Sequence, residues 1–262
     1  MKVLSVHFTE ECNLKCPLCY VRREGRSLPL SFFLRLPDHI AKAGFEQVAL
    51  GGGEPYLFPE FVEEFSRRCQ DAGVICNVTT NGTLPERVLR HSRWVTMVSV
   101  SFDRYKTSLE HFLGTLRSLS ASLRTSVNLL VEHWLLEPPS ILEALVEQFF
   151  EAGAERVFAL HPKLWRKPPV LQHRETFVYL TKRYRHFYVD DLLYHVLKYG
   201  SYGGWQTPCH YGRDFFSVTP RGEVTGCSFD TRPLMVLRKP EEIVRVREIG
   251  VEPRFSCPFV PA

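Results

Sequence analysis

No run of about eighteen apolar residues occurs in this chain, so the sequence offers no candidate transmembrane helix. The first eight residues lack the plan of a secretory signal. Long-period repeats and low-complexity segments are also missing, which excludes solenoids and compositionally biased tails. Neither charge sign dominates, since the formal net charge is +4. Arginine nevertheless outnumbers lysine, and an Arg/Lys-rich stretch runs from Lys163 through Arg185. That stretch reads as a solvated helix face, with an anionic substrate or an RNA as the alternative. Cysteine is not scarce. Eight cysteines in a secreted chain would suggest disulfides, whereas in a reducing compartment they suggest metal. The expected location is the cytoplasm, with no membrane partner. At 262 residues and 44% apolar content, the chain is long enough for one sizeable core plus an appendage.

Three of the cysteines, Cys12, Cys16 and Cys19, lie in one short run directly after the apolar stretch Val3 to Phe8. Three thiolates at Cys-x3-Cys-x2-Cys spacing can hold three corners of a 4Fe–4S cube and leave the fourth iron for a non-protein ligand. A zinc knuckle is the competing assignment, but it needs paired Cys-x2-Cys spacing and four close ligands, and neither a second pair nor a histidine lies nearby. A second motif, Gly51-Gly52-Gly53-Glu54-Pro55, follows the apolar run Gln47 to Leu50. Glycines at a strand end permit close backbone approach, and a carboxylate beside them can accept from an ammonium group. Together the two motifs resemble those of the radical S-adenosylmethionine (radical SAM) enzymes. The resemblance implies that Cys12, Cys16 and Cys19 ligate the cluster and that the open iron chelates the methionine part of the cofactor. It also implies that Gly52, Gly53 and Glu54 receive the cofactor's α-amino group. Leu18 departs from the family pattern, which has an aromatic residue before the third cysteine; here Tyr20 follows the triplet instead.

Short apolar strands alternate with amphipathic helices along the first two thirds. Strands are expected near 3–8, 46–50, 74–80, 95–102, 124–132 and 155–160, with helices near 31–43, 59–72, 84–92, 105–121 and 138–152. Pro37 should interrupt or restart the first helix, and Gly73 should end the second. Six such repeats predict an α/β fold with parallel strands and outer helices, open or partly closed. Radical SAM cores have that partial (β/α)6 TIM-like barrel, so pattern and resemblance converge on residues 1–165. Strand carboxyl ends then gather the chemistry. Thr79-Thr80-Asn81-Gly82 ends the third strand and Ser99 to Asp103 the fourth; Ser101 and Asn128 are candidate cofactor contacts, with Tyr20 beside the cysteine run. Glu132 and His133 end the fifth strand. Cys69 and Cys76 fall on apolar faces and read as small core residues.

After residue 165 the character changes. Pro168-Pro169 breaks the pattern, helical runs occupy about 172–187 and 190–198, and residues 166–205 form a helical bridge. Within 206–262, Phe215 to Thr219 and Glu223 to Thr225 flank a tight turn and predict a hairpin between Cys209 and Cys227, with Cys257 near the end. Cys-x12-Gly-x4-Cys resembles the opening of the SPASM and shorter twitch modules, which hold auxiliary 4Fe–4S clusters. The resemblance implies Cys209, Cys227 and Cys257 as ligands. The fourth thiolate of the pattern is missing, so either His210 or Asp230 ligates or one iron stays open to substrate. A zinc held by three Cys and one His, or three unrelated core cysteines, are the other readings.

The resemblance implies reductive cleavage of S-adenosylmethionine to a 5′-deoxyadenosyl radical that abstracts a substrate hydrogen, for a net oxidation or a peptide or small-molecule modification. The auxiliary cluster would accept the substrate's leftover electron. The implied electron donor is a ferredoxin or flavodoxin, and the expected substrate is a peptide or small molecule, with nucleic acid as the minor alternative. A glycyl-radical-type activating enzyme and an RNA- or cofactor-modifying enzyme are the rival functions. A non-enzymatic iron–sulfur carrier would need no Gly-Gly-Glu. With a first strand beginning almost at Met1, no leader-binding domain is expected ahead of the barrel.

Overall fold

The computed structural model describes residues 2–21, 23–25, 27–163 and 168–260. The boundary expected at residue 165 and part of the basic stretch, residues 164–167, lie outside the described residues. The chain divides into two compact units, one of residues 1–15, 19–98 and 210–252, the other of residues 16–18, 99–209 and 253–262.

The first unit is organised on strand β1 (Val3–Thr9), flanked on one side by β2 (Gln47–Gly52) and then β3 (Ile75–Thr80), all parallel. Leu4, Val6 and Phe8 of β1 are fully buried on one face. Phe8 stacks on Phe61 at 4.1 Å between ring centroids, which seats the helix α3 (Pro59–Asp71). Two shorter helices, α1 (Leu30–Leu34) and α2 (Pro37–Ile40), occupy the region expected as one helix; Pro37 is the first residue of the second, where its missing N–H costs nothing. Gly73, at φ +70°, follows α3 and returns its N–H to the Gln70 carbonyl, the expected stop. Helix α4 (Pro85–His91) comes next, and β4 (Met97–Phe102) begins in this unit and ends in the other. Cys69 on α3 and Cys76 on β3 are buried core residues, as read. The bond to Cys76 and burial together push the Cys69 thiol far up from its usual range.

The C-terminal hairpin forms as expected: β8 (Phe215–Val218) and β9 (Glu223–Thr225) are antiparallel, with a short β10 (Met235–Val236) beyond. It does not make a sheet of its own. Strand β8 pairs in parallel with β1, Val3 opposite Phe215 through Val6 opposite Val218. A two-stranded hairpin is marginal in water, and the open edge of β1 supplies the backbone partners it lacks.

The second unit carries α5 (Leu109–Ser120), β5 (Thr125–Leu130), α6 (Ser140–Glu151), β6 (Arg156–Leu160), α7 (Arg174–Arg183), β7 (Phe187–Val189) and α8 (Asp191–Tyr199). Strands β5, β6 and β7 are parallel neighbours in that order. Ser108 and Asp190 cap α5 and α8 through their side chains. The helix expected over 172–187 stops at Arg183, because residues 187–189 go instead to an edge strand. The fold is therefore the expected α/β arrangement of parallel strands with helices. In neither unit does the sheet close on itself, since among the described residues β10 has only β9 beside it and β7 only β6.

Candidate functional site

The start of the cysteine loop and the Gly-Gly-Glu turn meet in the first unit. Strand β1 ends at Thr9 opposite Gly52 of β2, after a register shift past His7. Gly53 donates its N–H to the Thr9 carbonyl at 2.8 Å, and Glu54 donates to Glu11 at 2.8 Å. These bonds hold the start of the cysteine loop against the Gly-Gly-Glu turn. The glycines make the contact possible: Gly52 sits at φ +125°, and a Cβ on Gly53 would overlap the Glu11 carbonyl oxygen. Their close approach is thus to the loop's own backbone.

Glu54 is fully buried, and its carboxylate accepts from Thr80 Oγ1 at 2.7 Å, Asn81 N at 2.8 Å and Tyr56 N at 3.1 Å. A buried carboxylate is expensive without such donors. The Thr-Asn turn after β3 supplies two of them because β3 is the neighbour of β2. Asn81 then continues outward: its Nδ2 donates to Asn13 Oδ1 at 2.9 Å and lies 3.8 Å from Cys12 Sγ. Leu14 N donates to the same sulfur at 3.4 Å. Two N–H groups, of Asn81 and Leu14, thus face the Cys12 sulfur and orient it. Tyr20 is half-exposed, its ring 4.6 Å from that of Phe229 and 5.9 Å from His7.

The face of β1 opposite Phe8 carries Ser5, His7 and Thr9, all buried. In register across the sheet, Ser5 lies between Ser217 and Ala49, and Ala49 is opposite Asn77. This row is small or polar, where a filled barrel interior would carry bulky branched residues. The buried Asn77 Oδ1 has no partner among the described residues. His7 bonds Ser5 Oγ at 3.1 Å, and burial pulls its pKa down to about 4, so it is neutral at pH 7.

In the second unit, Ser99 of β4 and Ser126 of β5 share a 2.7 Å hydroxyl hydrogen bond. The candidates Ser101 and Asn128 lie two residues further along the same faces, toward the strand carboxyl ends. Beyond them Asp103 is buried with Lys106 Nζ at 2.9 Å, while burial raises the Glu132 carboxyl above its ordinary range, against Trp134 and Arg104. The basic residues Arg124, Arg156, Arg183 and Arg185 line a depression at the opposite, amino ends of β5 and β6, away from these candidates. Cys209 and Cys257 lie on adjoining segments, joined by the Gly203–Ser256 bridge and by bonds from Cys209 N to Arg254 O and Trp205 N to Phe255 O.

Cys227 follows β9 in the first unit, its carbonyl accepting from Thr225 Oγ1 and Asp230 N. Asp230 there takes the Tyr211 hydroxyl on Oδ2 and Arg232 N on Oδ1, so both oxygens are engaged. His210 bonds Asp214 at 3.0 Å. None of the eight cysteines forms a disulfide, and among the described residues no three Cys, His, Asp or Glu side chains converge as a metal cage.

Sequence reasoning missed His7, Glu10 and Arg221. Glu10 lies two positions before Cys12, and its burial is invisible without knowing that β8 flanks β1.

Residues 6–125 match the family model of the radical SAM superfamily. Over those residues the chain resembles a radical SAM domain. Such a domain implies a 4Fe–4S cluster and S-adenosylmethionine, and a reductant to supply its electron. The three thiols of one loop and the N–H donors on Cys12 fit that group. Over 121 residues the chain is 22% identical to the S-adenosylmethionine-dependent nucleotide dehydratase of Flammeovirga pacifica, covering 42% of this chain and 41% of that one. It is 31% identical to the PqqA peptide cyclase of Ruegeria pomeroyi over 106 residues, covering 39% of this chain and 27% of that one. The matched parts thus span less than half of these relatives. Streptococcus suis SuiB, solved bound to its precursor peptide SuiA, has the same fold over 87% of this chain and 60% of its own, with TM-score 0.68 and 15% identity. Among the described residues no helix is long and apolar enough to cross a membrane.

Proposed function

We propose that the protein is a radical SAM enzyme whose cluster is held by Cys12, Cys16 and Cys19. The observation that carries this is the bonding of the cysteine loop to the Gly-Gly-Glu turn through Thr9 and Glu11. When bound, the cluster and cofactor supply one-electron sulfonium cleavage and a 5′-deoxyadenosyl radical for hydrogen abstraction. The chain's own residues bind and orient. Asn81 Nδ2 and Leu14 N orient the Cys12 sulfur, and metal loading draws the three thiols together, as coupled metal sites do. Glu54 supplies the negative end that the cofactor's ammonium requires, held in place by Thr80, Asn81 and Tyr56. Tyr20 offers an aromatic surface beside the loop, and Ser101 and Asn128 offer hydrogen bonds. The polar row Ser5, Asn77 and Ser217 suits a substrate rich in polar groups.

We infer a peptide substrate, on the likeness to the PqqA peptide cyclase and to the fold of SuiB, with a ferredoxin- or flavodoxin-like donor in the cytoplasm. Cys209, Cys227 and Cys257 belong in this reading to an auxiliary cluster. The adjoining segments of Cys209 and Cys257 support it, with His210 or Asp230 as the fourth ligand, or one iron open to substrate.

Anaerobic reconstitution tests both clusters. The wild type should hold about eight irons, and a variant lacking the first three cysteines about four. No iron in that variant removes the auxiliary cluster. A wild type without iron, unable to cleave the cofactor under strong reductant, removes the whole reading.

A further inference from the structure

Arg221 occupies the tight turn of the β8–β9 hairpin, a place where a side chain ordinarily points to water. Its guanidinium is instead mostly enclosed and meets three carboxylates. Nη1 lies 3.2 Å from Glu10 and 3.1 Å from Glu24, while Nη2 lies 2.8 Å and Nε 3.1 Å from Glu223. Glu10 is 6% exposed, and its second oxygen accepts from Glu24 N at 2.6 Å and Gly25 N at 2.8 Å. The neighbouring Pro220 carbonyl accepts from Leu28 N at 2.8 Å. One hairpin turn therefore grips the chain on both sides of the cysteine loop: at Glu10, before Cys12, and at Glu24 and Leu28, after Cys19.

We propose that Arg221 is a positioning residue that clamps the two stems of the cysteine loop and so holds its thiols ready for metal. The inference rests on the reading of that loop as cluster-binding, but its first test does not. Closing the stems beforehand lowers the entropy lost when the loop orders around a ligand. Without Arg221, the buried Glu10 loses its cation, and three carboxylates are left facing one another. The backbone donors on Glu10 compensate only one of its oxygens. The stems then part while the sheet behind them keeps its own bonds.

Hydrogen exchange of the apo protein, followed by timed iron loss to a chelator from the reconstituted protein, tests this in Arg221→Gln, Arg221→Lys and Glu24→Gln. In Arg221→Gln, amides of residues 11–25 should exchange about tenfold faster, with β2 and β3 unchanged, and iron should leave about tenfold faster. Lysine should restore part of the protection, because it keeps the charge but not the fork. Glu24→Gln, at a half-exposed position, should give a smaller change in the same direction. Unchanged exchange over 11–25, or equal acceleration in β2 and β3, overturns the clamp. Should Arg221→Gln fail to fold, Glu24→Gln and Arg221→Lys decide alone, and no loosening in either overturns it. Iron missing from the wild type would instead strike the cluster reading and leave the exchange result standing.

Discussion

His7 is a neutral imidazole on a buried strand face, and its environment makes a pH prediction. Its folded pKa, lowered to about 4 by burial, lies below the ordinary 6.5. As pH falls through 6.5, the unfolded chain takes up a proton that the folded chain refuses, so stability is lost between pH 6.5 and about 4. Between about pH 7.5 and about pH 5 this site should remove about 2 kcal/mol of unfolding free energy. Urea unfolding of wild type and His7→Asn at the two pH values checks it, since the wild type should fall further by that amount. Equal losses in both proteins would mean that His7 is protonated in the folded state. Nothing in the sequence signals this residue: a histidine between Val6 and Phe8 reads as one more strand position, and its burial follows from β8 and β2 lying on either side of β1.

At the scale of elements, the Gly-Gly-Glu turn and the cysteine loop were both legible as motifs, while the contact between them was not. The glycines read as room for a ligand, yet the group that fills the room is backbone from Thr9 to Glu11, forty residues earlier. The distinction is testable on two glycines of the same run. Gly53→Ala would place a methyl group on the Glu11 carbonyl, whereas a Cβ on Gly51 meets nothing within 4 Å. Gly53→Ala should lower the thermal midpoint by about 4 °C or more, because backbone must move to admit the methyl. Gly51→Ala should stay close to wild type. Calorimetry of the pair checks this, and equal midpoints would refute the packing account. Elements with local signals were readable for the same physical reason that motifs are. Pro37 starts α2 and Gly73 closes α3. The end of α7 and the strand β7 were not readable, because no glycine or proline separates them in Arg183 to Val189 and pairing with β6 decides the outcome.

Over the whole molecule, the hairpin itself was legible in Phe215 to Thr225, but its attachment was not. Parallel pairing of β8 with β1 joins residues more than two hundred positions apart, and no local pattern encodes such a partner. Residues 210–252 belong to the first unit, beside β1. Deleting residues 210–262 should strip β1 of one neighbour along Val3 to Val6 and leave Glu10 and Glu24 without their cation. A long unpaired edge flanked by Leu4, Val6 and Phe8 is a template for pairing between chains. The truncated protein should therefore aggregate, or unfold without a cooperative transition, in size-exclusion chromatography and circular dichroism. A monomeric truncation with a sharp thermal transition would show instead that the hairpin is a separable module, and that β1 and β2 hold the cysteine loop without it.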